Sequence, residues 1–393
     1  MFIDRDAAPS LERLAAGFPV VWLTGPRQSG KTTLARTLRP ELPYVNLELP
    51  DQREFAQSDP RGFLASYPDG AVLDEIQHVP ELTSWLQADV DSDLRMGRWW
   101  LTGSQQPAIA HGITQSLAGR VGRLELLPLS GRELLNADRL PTTLDTLLFR
   151  GGYPPIYDRD VSPQDWLANY VATYVERDVR SLTAIRDLDT FTRFVRLCAA
   201  RSGQLLNATN LGNDAGVSQS TVKAWLSILR STYLLDLAEP YHANITTRLT
   251  KTPKLVFLDV GLMAYLIGIN DASQMDTHPL RGALFETWGL TEQLKSWRNA
   301  ADSRRMMFLR DKHGVELDSL SIVGTTLHGL EFKAGATIAS DWIRPARLWR
   351  SRLAGTEWAP LRVAYGGDAD LHRTAPDGLP VDFIGWRSFA ATP

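Results

Sequence analysis

Cysteine is almost missing from this chain: Cys198 is the only one in 393 residues. That excludes a disulfide framework and a cysteine-rich zinc site. Cys198 lies in the apolar stretch Phe194-Val195-Arg196-Leu197-Cys198-Ala199-Ala200, where a small buried hydrophobe is expected rather than a reactive thiol. Long apolar runs are missing as well. No segment approaches the roughly 20 residues that cross a bilayer, and Met1 to Ser10 has no apolar signal core. The expectation is a cytoplasmic protein without a membrane partner. Excess charge is also missing, because the formal net charge is −3. Attraction to a polyanion must then come from a local patch rather than from the whole molecule. Neither an internal repeat nor a low-complexity segment interrupts the chain.

What remains is ordinary globular composition, 44% apolar and 22% charged, at a length that suits two or three domains. Over the first 130 or so residues short apolar runs alternate with helix-like stretches, the pattern of βαβ units around a parallel sheet. Phe18 to Leu23, Tyr44 to Leu49, Ala71 to Leu73 and Arg98 to Leu101 read as strands, and Lys31 to Leu38 as a helix. A helix-rich segment from about Pro128 to Ile185 follows, then a block from about 190 to 270, then a last block from Pro279 that turns β-like after a helix through Glu286.

Gly25-Pro26-Arg27-Gln28-Ser29-Gly30-Lys31-Thr32, followed by Thr33, fits the phosphate-binding pattern G-x-x-x-x-G-K-[ST] between a strand and a helix. The glycines let successive backbone N–H groups face phosphate oxygens, and the new helix adds the positive end of its dipole. Lys31 is expected at the β and γ phosphates of ATP, and the Thr32 hydroxyl on Mg²⁺. The strand Ala71-Val72-Leu73 ends in two acids: Asp74 to hold Mg²⁺ with its waters, Glu75 to polarise the attacking water. A base for water favours a hydrolase over a kinase. Leu101-Thr102-Gly103-Ser104 ends the next strand. In ring and switch ATPases a polar residue there senses the γ-phosphate, a role for Ser104 or, failing that, Thr102; capping of the next helix is the other reading. Arg120 and Arg123 are candidates for an arginine finger on a neighbouring subunit's nucleotide, against the alternative of solvated surface arginines.

These segments resemble the AAA+ superfamily and, more closely, a prokaryotic ATPase family that joins an AAA domain to a C-terminal region of unknown function. Leu73 to Leu82, Ser116 to Arg120, Pro128-Leu129-Ser130, Gly151-Gly152-Tyr153-Pro154, Tyr174 to Val179, Thr252-Pro253-Lys254 and Leu258 to Leu262 carry the likeness further along the chain. The resemblance implies a fold and an ATP site but no settled cellular role.

Leu211 to Ser218 followed by Gln219 to Leu229 has helix-turn-helix form, with a turn at Gly216 and Ser218 as N-cap. Val222, Trp225, Leu226 and Leu229 make an apolar stripe on the second helix. Tyr233 to Pro240 resembles a strand, and Tyr241 to Lys254 a β-hairpin wing. Together they suggest a winged helix contacting DNA through Lys223, Arg248, Lys251 and Lys254, though such domains also dock proteins. In the last block Glu286, Asp318 and Glu331-Phe332-Lys333 are similar to the PD-(D/E)xK nuclease pattern, in which two acids hold Mg²⁺ and a lysine positions water. Asp318 and Glu331 stand 13 positions apart, as on adjacent strands of a hairpin, although Ser319 interrupts the apolar pattern expected there.

The architecture expected is therefore an α/β P-loop ATPase core at 1–135, a helical lid at 136–190, a winged helix at 191–275 and a nuclease-like α/β domain at 276–393. The function expected is an oligomeric, ring-like ATP-driven motor or switch on DNA. An ATP-regulated nuclease and a nucleotide switch acting on a protein partner are the alternatives.

Overall fold

Four apolar residues in a row, Val20 to Leu23, leave no polar face for solvent, and the computed structural model buries all four in the first strand of a parallel sheet. The structure describes residues 3–103, 116–159, 161–175, 187–241 and 250–393. Its chain divides into two compact units, one of Met1–Leu129, Leu229–Leu234 and Lys295–Ser303, the other of Ser130–Ile228, Leu235–Leu294 and Arg304–Pro393.

The first unit runs α1 (Ala8–Gly17), β1 (Val20–Thr24), α2 (Lys31–Leu38), β2 (Tyr44–Asn46), α3 (Pro50–Ser58), α4 (Pro60–Ala65), β3 (Ala71–Asp74), α5 (Leu82–Ser92), β4 (Trp99–Gly103) and β5 (Val121–Glu125). The strands lie in the order β2-β3-β4-β1-β5, each pair parallel. Alternate residues of β1 serve two cores. Val20 and Trp22 pack with Leu73, Trp99 and Leu101 on one face, while Val21 and Leu23 pack with Leu34, Val72 and Trp100 on the other. A strand covered on both sides needs no polar alternation, which is why the run reads as continuous. This sheet brings the C-terminal ends of β1, β3 and β4 to one edge, where a doubly wound fold binds its ligand. The strand expected from Tyr44 to Leu49 stops at Asn46, because Pro50 opens α3.

The second unit contains α6 (Gly131–Asn136), α7 (Leu144–Arg150), α8 (Pro155–Asp158), α9 (Pro163–Tyr170), α10 (Leu188–Ala199), α11 (Ala208–Ala215), most of α12 (Gln219–Ser231), β6 (Leu235–Pro240), β7 (Lys254–Phe257), α13 (Val260–Leu266) and the first part of α14 (Arg281–Asn299). It continues with β8 (Met307–Arg310), β9 (Glu316–Val323), β10 (Thr326–Lys333), α15 (Arg344–Arg352), β11 (Leu361–Tyr365), β12 (Leu371–Thr374), β13 (Pro380–Gly385) and α16 (Trp386–Ala391). Its eight-stranded mixed sheet has the order β12-β13-β11-β10-β9-β8-β6-β7. The hairpin expected from the Asp318 and Glu331 spacing is the antiparallel pair β9–β10. Ser319 does not interrupt β9, since its hydroxyl is buried and donates to Gln293 Oε1 at 2.7 Å. Cys198 is buried, and burial pushes its thiol well above the usual range.

The helix-turn-helix expectation matches α11 and α12. Gly216 ends α11 in the left-handed region at φ 76°, and the Ser218 hydroxyl accepts from Thr221 N at 3.1 Å. Val222, Trp225, Leu226 and Leu229 are buried, as the stripe predicts. Of the strands that follow, β7 is the edge strand of the large sheet and β6 lies between it and β8. Tyr241 N donates to Phe308 O and Thr250 N to Arg310 O, so both flanks of the expected wing are tied to β8.

Candidate nucleotide site

The loop between β1 and α2 starts at Gly25, whose φ of 147° and close approach leave no room for a side chain: a Cβ there would meet Leu126 O at 2.2 Å. Gln28 at φ 62° and Gly30 at φ 95° turn the backbone through the left-handed region, which aims consecutive N–H groups into the loop. Lys31 is buried and curls into the loop, donating to Gly25 O at 3.0 Å and Pro26 O at 2.7 Å. Burial lowers its pKa to about 8, against the pull of the nearby Glu75 and Asp74 carboxylates. A buried ammonium resting on neutral carbonyls is poised for a stronger anionic partner.

Asp74 sits at the end of β3 as the focus of three hydroxyls. Thr32 Oγ1 lies 3.0 and 3.1 Å from its two carboxylate oxygens. Tyr44 donates to Oδ2 at 2.6 Å from β2, and Thr102 donates to Oδ1 from β4. The Thr32–Asp74 spacing fits Mg²⁺, because adjacent ligands of an octahedral ion at about 2.1 Å are about 3.0 Å apart. Next along the chain, Glu75 holds φ 56° and ψ 47°, an uncommon left-handed conformation for a residue with a side chain. Gln77 Nε2 donates to Glu75 Oε2 and fixes that carboxylate. A cavity of about 460 Å³ lies along α2 and the segment leading to β2, lined by Thr32, Thr33, Arg36, Arg39, Leu42 and Tyr44 among others.

Three participants were not read from the sequence. Tyr44 belongs to a strand whose pairing with β3 is set by the sheet order alone. Gln77 lies two residues beyond Glu75 in a segment that carries the family likeness, but nothing in the sequence assigns its side chain to the Glu75 carboxylate. Arg5 reaches back across the chain, donating from Nη1 to Ser29 O at 2.6 Å and from Nη2 to Leu127 O at 2.7 Å, and so holds the phosphate loop from behind. Thr102 was the second choice for a γ-phosphate sensor, and its hydroxyl goes to Asp74. Ser104, the first choice, lies outside the described residues. Arg120 donates to both Asp91 oxygens at 2.6 and 3.0 Å. Arg123 donates to Glu125 Oε1 at 2.6 Å and stacks over the Trp22 ring. Both arginines are thus engaged within their own unit.

An AAA domain matches residues 17–135, and two domains of unknown function, DUF8612 and DUF4143, match 141–273 and 281–384. The uncharacterized proteins Rv2008c of Mycobacterium tuberculosis and Mb2031c of Mycobacterium bovis are each 30% identical over 372 residues, 94% of this chain and 81% of theirs. The chain belongs to their family. An uncharacterized protein of Haemophilus influenzae is 23% identical over 284 residues, covering 64% of this chain and 70% of that one. Among solved structures, the Walker-type ATPase Paby2304 of Pyrococcus abyssi superposes with a TM-score of 0.46 at 16% identity, over 67% of this chain and 96% of that one. The phosphate loop and the acidic end of β3 lie within the matched AAA domain, a class of domain that binds ATP.

Beyond the AAA domain, the sequence placed two further sites. Glu286, Asp318, Glu331 and Lys333 do converge in the second unit. Phe332 N donates to Asp318 Oδ2 at 2.9 Å, and Lys333 donates to Glu331 Oε2 at 3.0 Å. Burial raises Glu331 well above the usual carboxylate range, helped by the neighbouring Asp318 charge. Two members were missed. Glu316 joins Glu286 and Asp318, and Lys254 pairs with both Glu286 and Glu316. Of the residues expected on DNA, Lys223 and Lys251 are exposed and Arg248 lies outside the described residues. Lys254 is a correction. Its side chain is 1% exposed and ion-paired, so it faces the interior and not a nucleic acid. Burial disfavours its charge, but Glu286, Asp318 and Glu316 outweigh that and hold it above the ordinary lysine range.

Proposed function

We propose that this protein is a Mg²⁺-dependent ATPase whose nucleotide state controls an association with DNA made through the second unit. The convergence of Thr32, Tyr44 and Thr102 on Asp74, with Glu75 fixed beside it, carries the ATPase part. Lys31 exchanges the carbonyls of Gly25 and Pro26 for the β and γ phosphates of ATP. The loop N–H groups and the start of α2 hold the remaining oxygens. Thr32 and Asp74 would hold Mg²⁺, which supplies neutralising charge at the phosphate oxygens. Glu75 orients the attacking water and takes its proton, and Gln77 keeps the carboxylate from swinging away.

The DNA part rests on the start of α12, where Ser218, Gln219, Ser220 and Lys223 are exposed next to the left-handed turn at Gly216. With a net charge of −3 there is no diffuse positive field to substitute for these contacts. Replacing Lys223 and Lys251 together should weaken duplex binding and reduce the log–log salt slope by up to about 1.8, at about 0.9 per phosphate contact. Fluorescence anisotropy over a salt series reads both. An unchanged slope would transfer the proposal to a protein partner.

Self-association belongs to the same proposal. The Arg120–Asp91 pair is a surface ion pair worth about 1 kcal/mol or less, weak enough to yield the guanidinium to a neighbour's phosphates. Light scattering with and without ATP tests this; a monomer under both conditions would remove it.

A further inference from the structure

The second unit gathers carboxylates from three elements, and among the described residues a lysine, Lys254, bridges Glu286 and Glu316. Glu286 on α14 and Glu316 and Asp318 on β9 each offer an oxygen within 4.8 Å of the others, a spacing that suits a divalent ion. Glu331 on β10 is 1% exposed, and its Oε1 has no hydrogen-bond partner among the described residues. That is the donor set a nuclease-like metal centre would use.

Glu316 is already committed through both oxygens, and Glu286 and Asp318 through one each. Lys254, the first residue of β7, donates to Glu286 Oε1 at 2.6 Å and pairs with Glu316 Oε1. Arg310 takes the other oxygen of Glu316. The Phe332 N–H takes Asp318 Oδ2. A metal ion among Glu286, Glu316 and Asp318 would compete with Lys254 for two of the three carboxylates, and would approach the buried Lys254 charge in a partly buried site where repulsion is weakly screened. The residues present therefore do not fit a resident Mg²⁺. We infer that the Lys254 ammonium is the permanent cation of this cluster and that the cluster, as folded, excludes divalent metal.

The placement gives the lysine a second consequence. Lys254 lies in the segment matched by DUF8612, whereas Glu286 and Glu316 lie in the segment matched by DUF4143. The ion pairs join the two segments into one folded unit, which agrees with both lying in the second compact unit. Lys254 holds the place a metal would take, and the nuclease-like sheet becomes a binding and scaffolding element.

The test uses the full chain without nucleotide and Mn²⁺ as the probe, counted by its free-ion electron paramagnetic resonance signal. The wild type should show no Mn²⁺ site that depends on Glu316. Lys254→Met should gain one site binding at least about tenfold tighter than any in the wild type, and Lys254→Met with Glu316→Gln should lose it. Because Lys254→Met strands buried carboxylates, its melting temperature is followed as well. Mn²⁺ should raise it, as any ligand of the native state does, and leave that of the wild type unchanged. A wild-type Mn²⁺ site abolished by Glu316→Gln would overturn the inference. So would a folded Lys254→Met protein with no added site, or one that Mn²⁺ fails to stabilise or to refold.

Discussion

At the scale of single residues, Lys31 sets a pH dependence. Its pKa near 8 in the nucleotide-free site is lowered by burial, while bound phosphates require the charged form. Raising the pH depletes the competent form, and apparent affinity falls with that fraction. ATP affinity should drop about tenfold between about pH 7 and about pH 9. Titration with a fluorescent ATP analogue measures it, and a flat profile would place the Lys31 charge elsewhere in the cycle. Tyr44 is a positioning residue for Asp74. Tyr44→Phe removes one of three hydroxyls from that carboxylate, and groups that orient a metal ligand typically contribute about 10–100-fold to metal affinity or activity. The Mg²⁺ concentration for half-maximal ATPase should therefore rise about tenfold while the fold is kept. An unchanged Mg²⁺ requirement would make the contact incidental. Lys31 and Thr32 were legible because phosphate chemistry constrains neighbours in sequence. Tyr44 was not, since its meeting with Asp74 depends on which strand lies beside β3.

At the scale of elements, two segments that carry the family likeness turn out to meet. Gly151 and Gly152 follow α7, and Asp259 and Gly261 lie at the start of α13. Asp259 accepts from Gly152 N at 2.7 Å and from Leu262 N at 2.8 Å. A Cβ on Gly261 would meet Gly151 N at 2.6 Å. These glycines permit a close backbone crossing. Gly261→Ala should cost about 1–3 kcal/mol by overpacking, lowering the melting temperature of the protein by several degrees without changing ATP affinity. Scanning calorimetry beside an ATP titration separates the two, and a wild-type melting curve would refute the packing role. The hairpin of β9 and β10 was legible from spacing. Burial of Lys254 was not, because three basic residues between Tyr241 and Lys254 read as a solvated wing until sheet pairing turns one of them inward.

At the scale of the whole molecule, the chain joins an AAA unit, complete in its phosphate loop and its acidic strand end, to a second unit built on a mixed sheet. Local motifs exposed the first unit because nucleotide chemistry writes itself into short segments. The second had only alternation and scattered acids to show, and its eight-stranded sheet is assembled from segments on both sides of the expected boundary at residue 275. The nucleotide-controlled association proposed for the second unit depends on the first turning over ATP with Glu75 as base. Steady-state ATP hydrolysis by the wild type and by Glu75→Gln, with ATP binding measured on the same samples, tests that most directly. Both proteins should bind ATP alike in Mg²⁺, and the variant should turn it over at least about 10²-fold more slowly, the scale of a lost general base. Equal turnover in the two proteins, or equal loss of ATP binding in Glu75→Gln and Lys31→Ala, would contradict it.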